Sequence, residues 1–116
     1  MADILFATGK YDLGQSARVD LARLSGIIMS HPGLTLSIEG YTDSTGSELI
    51  NQKLSEQRAD AGRTYLISQG LSAAAVTSKG LGPANPVADN GTPAGRSQNR
   101  RVEIIVSGEA IGSPNR

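Results

Sequence analysis

Apolar and polar residues follow patterns along this chain that predict four strands and two helices. Strict alternation over residues 34–39 predicts a strand with one buried face, because successive side chains of a strand point to opposite sides. A short apolar run at residues 4–7 predicts a first strand, and residues 76–80 and 101–106 predict the third and fourth.

Two amphipathic helices are predicted between these strands. Within residues 15–30 the apolar positions fall at helical spacing, which places on one face Ala17, Leu21, Leu24 and Ile28. The second helix ends before Gly70, and its predicted core stripe consists of Ile50, Leu54, Ala61 and Tyr65. Thr45 and Glu48 have the spacing of a capping box, whose two side chains satisfy backbone donors at a helix start.

The order of these elements predicts the fold class, a two-layer α/β sandwich of βαβαββ order. We expect a mixed four-stranded sheet with both main helices on one face. Residues 72–75 are predicted to add a helical turn, and the Gly- and Pro-rich residues 81–97 a long loop. One domain over residues 1–107 and a flexible tail at residues 108–116 complete the prediction.

Composition excludes several kinds of function. The chain has 116 residues and a formal net charge of zero, which argues against a polyanion binder. Without cysteine it has no thiolate nucleophile or thiolate metal site, and its single histidine, His31, leaves a triad or a histidine metal site without a second member. We therefore expect no catalytic residues, no metal and no cofactor. No segment has the length and apolarity of a membrane span.

Asp43 and Arg58 are the charged residues whose positions suggest a site. Asp43 lies just before the second helix, and Arg58 lies beside the predicted stripe, so its stem follows apolar surface while its guanidinium points toward the Asp43 loop. A small site with one negative and one positive group at the edge of the core would result. The alternatives are a helix-flanking or turn aspartate at Asp43, and an Arg58 that snorkels or pairs with Glu48 or a neighbouring carboxylate.

Three ordered blocks of sequence resemble one family, the OmpA-like peptidoglycan-binding domains, over roughly residues 4–107. The blocks are Gly40-Tyr41-Thr42-Asp43 with Gly46, Asn51, Leu54-Ser55 and Arg58-Ala59; then Gly80-Leu81-Gly82 with Pro86, Asn90 and Thr92; then Gly95-Arg96 with Asn99-Arg100-Arg101-Val102-Glu103-Ile104.

The resemblance implies a non-catalytic module that binds peptidoglycan through the diaminopimelate residue of the stem peptide. Asp43 would take the ammonium of its free end and Arg58 the carboxylate, with Thr45, Asn51 and Arg100 completing the pocket. It also implies a periplasmic, cell-envelope location and a membrane-associated parent protein whose signal sequence and anchor lie outside this sequence. The domain itself is expected to make no membrane contact, and the sequence assigns no oligomeric state.

Some positions depart from the family or admit another interpretation. Ala7 and Tyr41 stand where many relatives have aspartate and histidine. The segment with Arg96, Arg100 and Arg101 contains none of the aromatic residues typical of a nucleic-acid surface, so no nucleic-acid partner is predicted. Arg101 is expected to pair with Glu103, and Arg96 is expected to be structural. The alternative function is a protein-interaction or stator-type module of the envelope.

Overall fold

The computed structural model describes residues 4–108, which form four strands and three α-helices. In chain order they are β1 (Ile4–Leu5), α1 (Gln15–Met29), β2 (Leu34–Gly40), α2 (Glu48–Ser68), β3 (Val76–Gly80), α3 (Pro93–Asn99) and β4 (Arg101–Gly108), with a 3₁₀ turn at Ala73–Ala75 before β3. The predicted order of strands and main helices is confirmed, as is the short turn before β3.

The strands form one mixed sheet in the order β1-β4-β2-β3. β2 runs parallel to β3 and antiparallel to β4, and β1 pairs antiparallel with β4. Helix α2 makes the crossover that a parallel pair requires. This arrangement places β2 and β4 at the centre of the sheet. The C-terminal end of β2 and the start of α2 lie beside the segment that follows β1.

Both long helices contribute to one core on a single face of the sheet, as predicted. Leu34, Leu36 and Ile38 of β2 are buried on that face. The stripe predicted for α1 is also confirmed, because Leu21, Leu24 and Ile28 are buried and Ala17 packs against them.

The core stripe predicted for α2 is wrong for most of its members: of the four residues, Tyr65 packs against the core and is partly buried. The buried residues of this helix are Asn51, Ser55, Arg58, Ala59, Gly62 and Leu66, whereas Ile50 is 64% exposed. A Cβ atom on Gly40 would overlap the carbonyl oxygen of Ser55, and one on Gly80 would overlap the Ser55 hydroxyl. The helix therefore lies so close to β2 and β3 that only small side chains fit between them at Gly40 and Gly80, and of its larger apolar residues Leu66 alone is fully buried.

The segment predicted as a loop over residues 81–97 contains most of α3. Thr92 caps this helix by accepting a hydrogen bond from the Gly95 N–H at 3.0 Å, and Pro93 occupies its first turn. Both residues are typical of a helix start, so the sequence carried the signal. Buried Asn99 at the end of α3 accepts from the Val87 N–H at 2.8 Å and holds the preceding loop against the domain.

Two predictions about the arginines are confirmed. Arg101 pairs with Glu103 at 2.6 Å and stacks on the Tyr41 ring, with its guanidinium carbon 3.8 Å from the ring centre. Arg96 donates to the Asn90 carbonyl at 3.0 Å, which is a structural contact.

The last strand extends one residue into the predicted tail. Gly108 closes β4, while the rest of the predicted tail, residues 109–116, lies outside the described residues. Within residues 4–108, none of the helices combines the length and apolarity that crossing a membrane requires.

Candidate functional site

A cavity of about 130 Å³ lies where β2 ends and α2 begins. Its walls come from the segment after β1, the β2–α2 turn, the first turns of α2 and the residue before β4. All five residues predicted for the site line it, together with five others: Asp43, Thr45, Asn51, Arg58 and Arg100, then Thr8, Gly9, Thr42, Ile50 and Leu54. The fold thus brings the predicted set together.

Asp43 is the anionic group of the cavity. It is 6% exposed, and each carboxylate oxygen accepts one hydrogen bond: Oδ1 from the Thr45 N–H at 2.8 Å and Oδ2 from Arg100 Nη1 at 3.0 Å. Burial alone would raise the pKa of Asp43, but the Thr45 N–H and the Arg100 guanidinium outweigh it and lower the pKa. Asp43 is therefore ionised at neutral pH.

The predicted capping box between Thr45 and Glu48 is wrong. Ser47 caps α2, and its hydroxyl accepts from the Ile50 N–H at 3.2 Å. Ser47 is the cap because it directly precedes the helix. Thr45 lies before it in the turn, where its N–H donates to Asp43. The β2–α2 turn is consequently built around the Asp43 carboxylate.

Arg58 lies deeper than predicted: it is fully buried, not placed at the edge of the core. Its guanidinium donates to three backbone carbonyls, those of Lys10 at 2.8 Å, Tyr41 at 3.0 Å and Ala7 at 3.1 Å. Its carbon also lies 5.2 Å from the centre of the Phe6 ring. Neither alternative interpretation, snorkelling or pairing with Glu48, describes this contact set.

The electrostatics of Arg58 are set by burial. Desolvation lowers its pKa to about 10, the Arg100 charge acts in the same direction, and Asp43 opposes both. Arg58 therefore remains a cation at neutral pH. Within residues 4–108 no carboxylate lies within ion-pair distance of it. A guanidinium has five N–H donors, and the three contacts leave one on each terminal nitrogen without an acceptor in that part of the chain.

Arg100 is the second cation of the cavity. Its Nε donates to the Phe6 carbonyl at 2.9 Å while Nη1 pairs with Asp43. Phe6 returns a backbone bond from its N–H to the Arg100 carbonyl at 2.9 Å. The pairing of β1 with β4 therefore fixes Arg100 over Asp43, and the cavity holds two guanidinium groups and one carboxylate.

Asn51 supplies a neutral polar group. It is 4% exposed, and its side chain has no hydrogen-bond partner among the described residues. Buried amide groups are nearly always paired, so an unpaired one in a cavity wall indicates a position where a ligand or water completes the pairing. The described residues contain no cluster of three or more His, Cys, Asp or Glu side chains suited to a metal ion.

The two departures from the family pattern lie beside Arg58 but contribute through the backbone. The Ala7 and Tyr41 carbonyls each accept from its guanidinium. The Tyr41 side chain points to the other face of the sheet, where its hydroxyl donates to Glu39 at 3.0 Å. Sequence reasoning missed Thr8 and Gly9 as cavity residues, because only the β1–β4 pairing brings them there.

Comparison with known proteins gives consistent matches along the chain. A model described as the OmpA family matches residues 5–100. The chain is 40% identical to the probable lipoprotein YiaD of Escherichia coli K12 over 90% of its own length and 48% of that protein's. It is 46% identical to the peptidoglycan-binding protein ArfA of Mycobacterium tuberculosis H37Rv over 75% of its own length and 27% of that protein's. The chain thus spans about half or less of these curated relatives.

Solved structures match more completely. The peptidoglycan-associated lipoprotein from Burkholderia pseudomallei superposes with a TM-score of 0.89 at 28% identity, covering 92% of this chain and 91% of that one. The C-terminal domain of Helicobacter pylori MotB superposes with a TM-score of 0.87 at 26% identity, covering 96% and 88%.

Proposed function

The chain belongs to the OmpA family, and from this premise we propose that it binds cell-wall peptidoglycan without cleaving it, through the diaminopimelate residue of the stem peptide. Two relatives whose names contain peptidoglycan binding or association support the wall as the target. The choice of diaminopimelate follows from the chemistry of the cavity.

Diaminopimelate has a free end that bears an ammonium and a carboxylate on one carbon. The two N–H groups that Arg58 leaves free, one on each terminal nitrogen, match the two oxygens of a carboxylate in a bidentate pair. Asp43 accepts the ammonium while it keeps its bonds to Thr45 and Arg100. A zwitterion thereby meets a fixed donor pair and a fixed acceptor.

The observation that carries this proposal is that buried polar groups in the cavity wall lack hydrogen-bond partners among residues 4–108. Arg58 is fully buried with two unused donors, and buried Asn51 has no side-chain partner among residues 4–108. Leaving such groups unpaired costs about 1–3 kcal/mol each, so a ligand that pairs them is stabilised by the same amounts. Thr45 and Arg100 border the same space, and Arg100 adds a positive charge that favours an ionised carboxylate.

In the cell, such a domain would attach its parent protein to the wall. We place it in the periplasm and expect the parent protein to be membrane-associated. The binding uses side chains and backbone only, so it needs no cofactor.

A pulldown with purified sacculi tests the proposal. Asp43→Asn keeps the size and the Thr45 contact but removes the charge, so we expect binding to be lost while the domain stays folded, as a cooperative thermal unfolding transition would show. Asp20→Asn, which removes a carboxylate from α1, is the matched control and should bind like the wild type. Undiminished binding by Asp43→Asn would exclude the assigned role, and release of soluble fragments by the wild type would exclude binding without turnover.

Peptide specificity tests the finer part. A stem peptide with lysine in place of diaminopimelate keeps the ammonium but leaves Arg58 unpaired, so its affinity should be lower by roughly tenfold to several hundredfold. Titration calorimetry with both peptides measures the ratio. Equal affinities would exclude the carboxylate-binding role of Arg58.

The alternative is a protein-interaction or stator-type module of the envelope. The observation in its favour is the exposed apolar pair at the start of α2, Leu49 at 81% and Ile50 at 64%. In the sacculus pulldown an interaction-only module stays in the supernatant, and Leu49→Ser would then reduce its binding to the partner protein.

A further inference from the structure

A second concavity, larger than the ligand cavity, lies along the middle of α2. It is a groove of about 680 Å³ between α2 and the segment that leads from β1 into α1. Its walls include Tyr11 and Leu13 on one side and Gln57, Asp60, Ala61 and Tyr65 on the other. This volume lies within the range of small-molecule sites.

The apolar residues that recur at helical spacing in α2 line the two concavities. Ile50 and Leu54, from the wrongly predicted core stripe, line the ligand cavity, and Ala61 and Tyr65 from the same stripe line the groove. The stripe therefore runs from one concavity into the other.

The groove and the cavity share a wall. Thr8 and Gly9 line the cavity, the Lys10 carbonyl accepts from Arg58, and Tyr11 begins the groove. On α2 the corresponding neighbours are Arg58, in the cavity, and Gln57, in the groove. From Gln57 to Ser68 the helix advances about 16 Å, so the groove continues away from the cavity for that distance.

On the premise of the proposed function, we infer that this groove is a subsite for the amino-sugar backbone of peptidoglycan. Two of the three tyrosines of the chain, Tyr11 and Tyr65, lie in it beside carboxylate and amide groups. Ring faces flanked by hydrogen-bonding side chains suit a saccharide, which has apolar C–H faces and a polar rim. Tyr11 is 44% exposed, so its ring is available to a ligand.

The reach of the stem peptide agrees with this placement. Two amino acids separate the backbone of diaminopimelate from the sugar, and two extended residues alone span about 7 Å. The diaminopimelate side chain, whose free end would lie at Arg58, adds to that length. A stem held at Arg58 is therefore long enough to place its sugar in the groove, which begins beside Gln57. A second copy of this chain is the competing occupant.

The test compares three probes by titration calorimetry on the full chain: a diaminopimelate stem peptide, the same peptide carrying the N-acetylated disaccharide, and the disaccharide alone. We expect the disaccharide-peptide to bind roughly tenfold tighter than the peptide. Tyr11→Ala should remove this gain and leave the affinity for the peptide unchanged. Val19→Ala, an exposed apolar change on α1 outside the groove, should keep both affinities.

Equal affinities for the two peptides, or a gain that survives Tyr11→Ala in a variant that unfolds at the wild-type temperature, would overturn the inference. So would a concentration-dependent dimer, seen by sedimentation, that Tyr11→Ala dissociates. The two proposals fail separately. Binding of the peptide without any sugar gain leaves the proposed function standing, whereas Tyr11-dependent binding of the disaccharide without peptide binding leaves only the groove.

Discussion

Helix α1 meets the sheet with large apolar side chains, including Leu21, Leu24 and Ile28, whereas α2 meets the same sheet with Ser55, Ala59 and Gly62. The large residues of α1 keep its axis away from the strands. The small residues of α2 let its backbone approach Gly40 and Gly80 directly. Close backbone approach in turn brings a buried polar row, Asn51, Ser55 and Arg58, to the end of β2, and it leaves apolar residues free on the flanks.

This difference separates two tasks. α1 supplies apolar burial and lines neither the ligand cavity nor most of the groove, whereas α2 borders both along its length. A helix that touches the sheet through small residues can leave parts of both flanks open, because less of its surface is covered by large core side chains.

The largest effect should come from forcing α2 away from the sheet. Gly40→Ala places a Cβ atom against the Ser55 carbonyl, a backbone atom that cannot move without the helix. We expect the free energy of unfolding to fall by about 3–5 kcal/mol, measured by urea denaturation. A loss below 1 kcal/mol would show that the backbone contact is not tight.

The next test truncates one fully buried side chain in each helix, Arg58 in α2 and Leu21 in α1. Arg58→Ala leaves three carbonyl groups without their donor and should cost about 2–4 kcal/mol, together with all sacculus binding. Leu21→Ala in α1 should cost about 2–5 kcal/mol but keep binding, measured at a temperature where both variants are folded. Loss of binding in the Leu21 variant would remove the functional distinction between the helices.

Acidification should have a smaller effect on stability, through Asp43 in the turn before α2. The pKa of Asp43 is lowered in the folded protein, so its stabilising contribution is present above the unfolded value and is lost as pH falls below about 4. Between pH 7 and pH 2 the wild type should lose more stability than Asp43→Asn, because only the wild type has this carboxylate to protonate. Identical pH profiles in chemical denaturation would contradict the lowered pKa.

The smallest effect compares one helical glycine in each helix. A Cβ on Gly26 of α1 meets nothing within 4 Å, so Gly26→Ala should stabilise the protein by about 0.5–1 kcal/mol. A Cβ on Gly62 of α2 would lie 3.3 Å from Ile38 Cγ2, so Gly62→Ala should show no such gain. Equal shifts in the thermal unfolding temperature would mean that the contact between α2 and β2 can accommodate an extra methyl group.

The same contrast explains what sequence patterns could predict. The strands and α1 follow the rule that apolar residues face the core, so residues 34–39 and the stripe ending at Ile28 were predicted correctly. In α2 the rule fails, because apolar periodicity says nothing about how closely two backbones approach. The glycines of β2 and β3 were the available signal, since each faces the buried Ser55.

Half of the residues that line the cavity were predicted, but their geometry was not. Motif resemblance brought together Asp43, Arg58 and the other three residues that line the cavity. The depth of Arg58 depends on carbonyl groups 48 and 51 residues away along the chain, and no local pattern encodes such contacts. The capping error had a different cause, because Thr45 and Ser47 both suit a helix start and only the Asp43 contact decides between them.

The three carbonyl contacts of Arg58 have a mechanical consequence. They tie α2 to the main chain at Ala7, Lys10 and Tyr41, which belong to the segment after β1 and to the exit of β2. If the proposed function holds, a wall ligand that pulls on this guanidinium would transmit its tension to the backbone at three points. The shortest element in that path is β1, which has two residues. Under the proposed function, separating β1 from β4 would loosen the Ala7 and Lys10 contacts of Arg58 and the Phe6 contact of Arg100 together, so the site would weaken in the same step as the sheet edge.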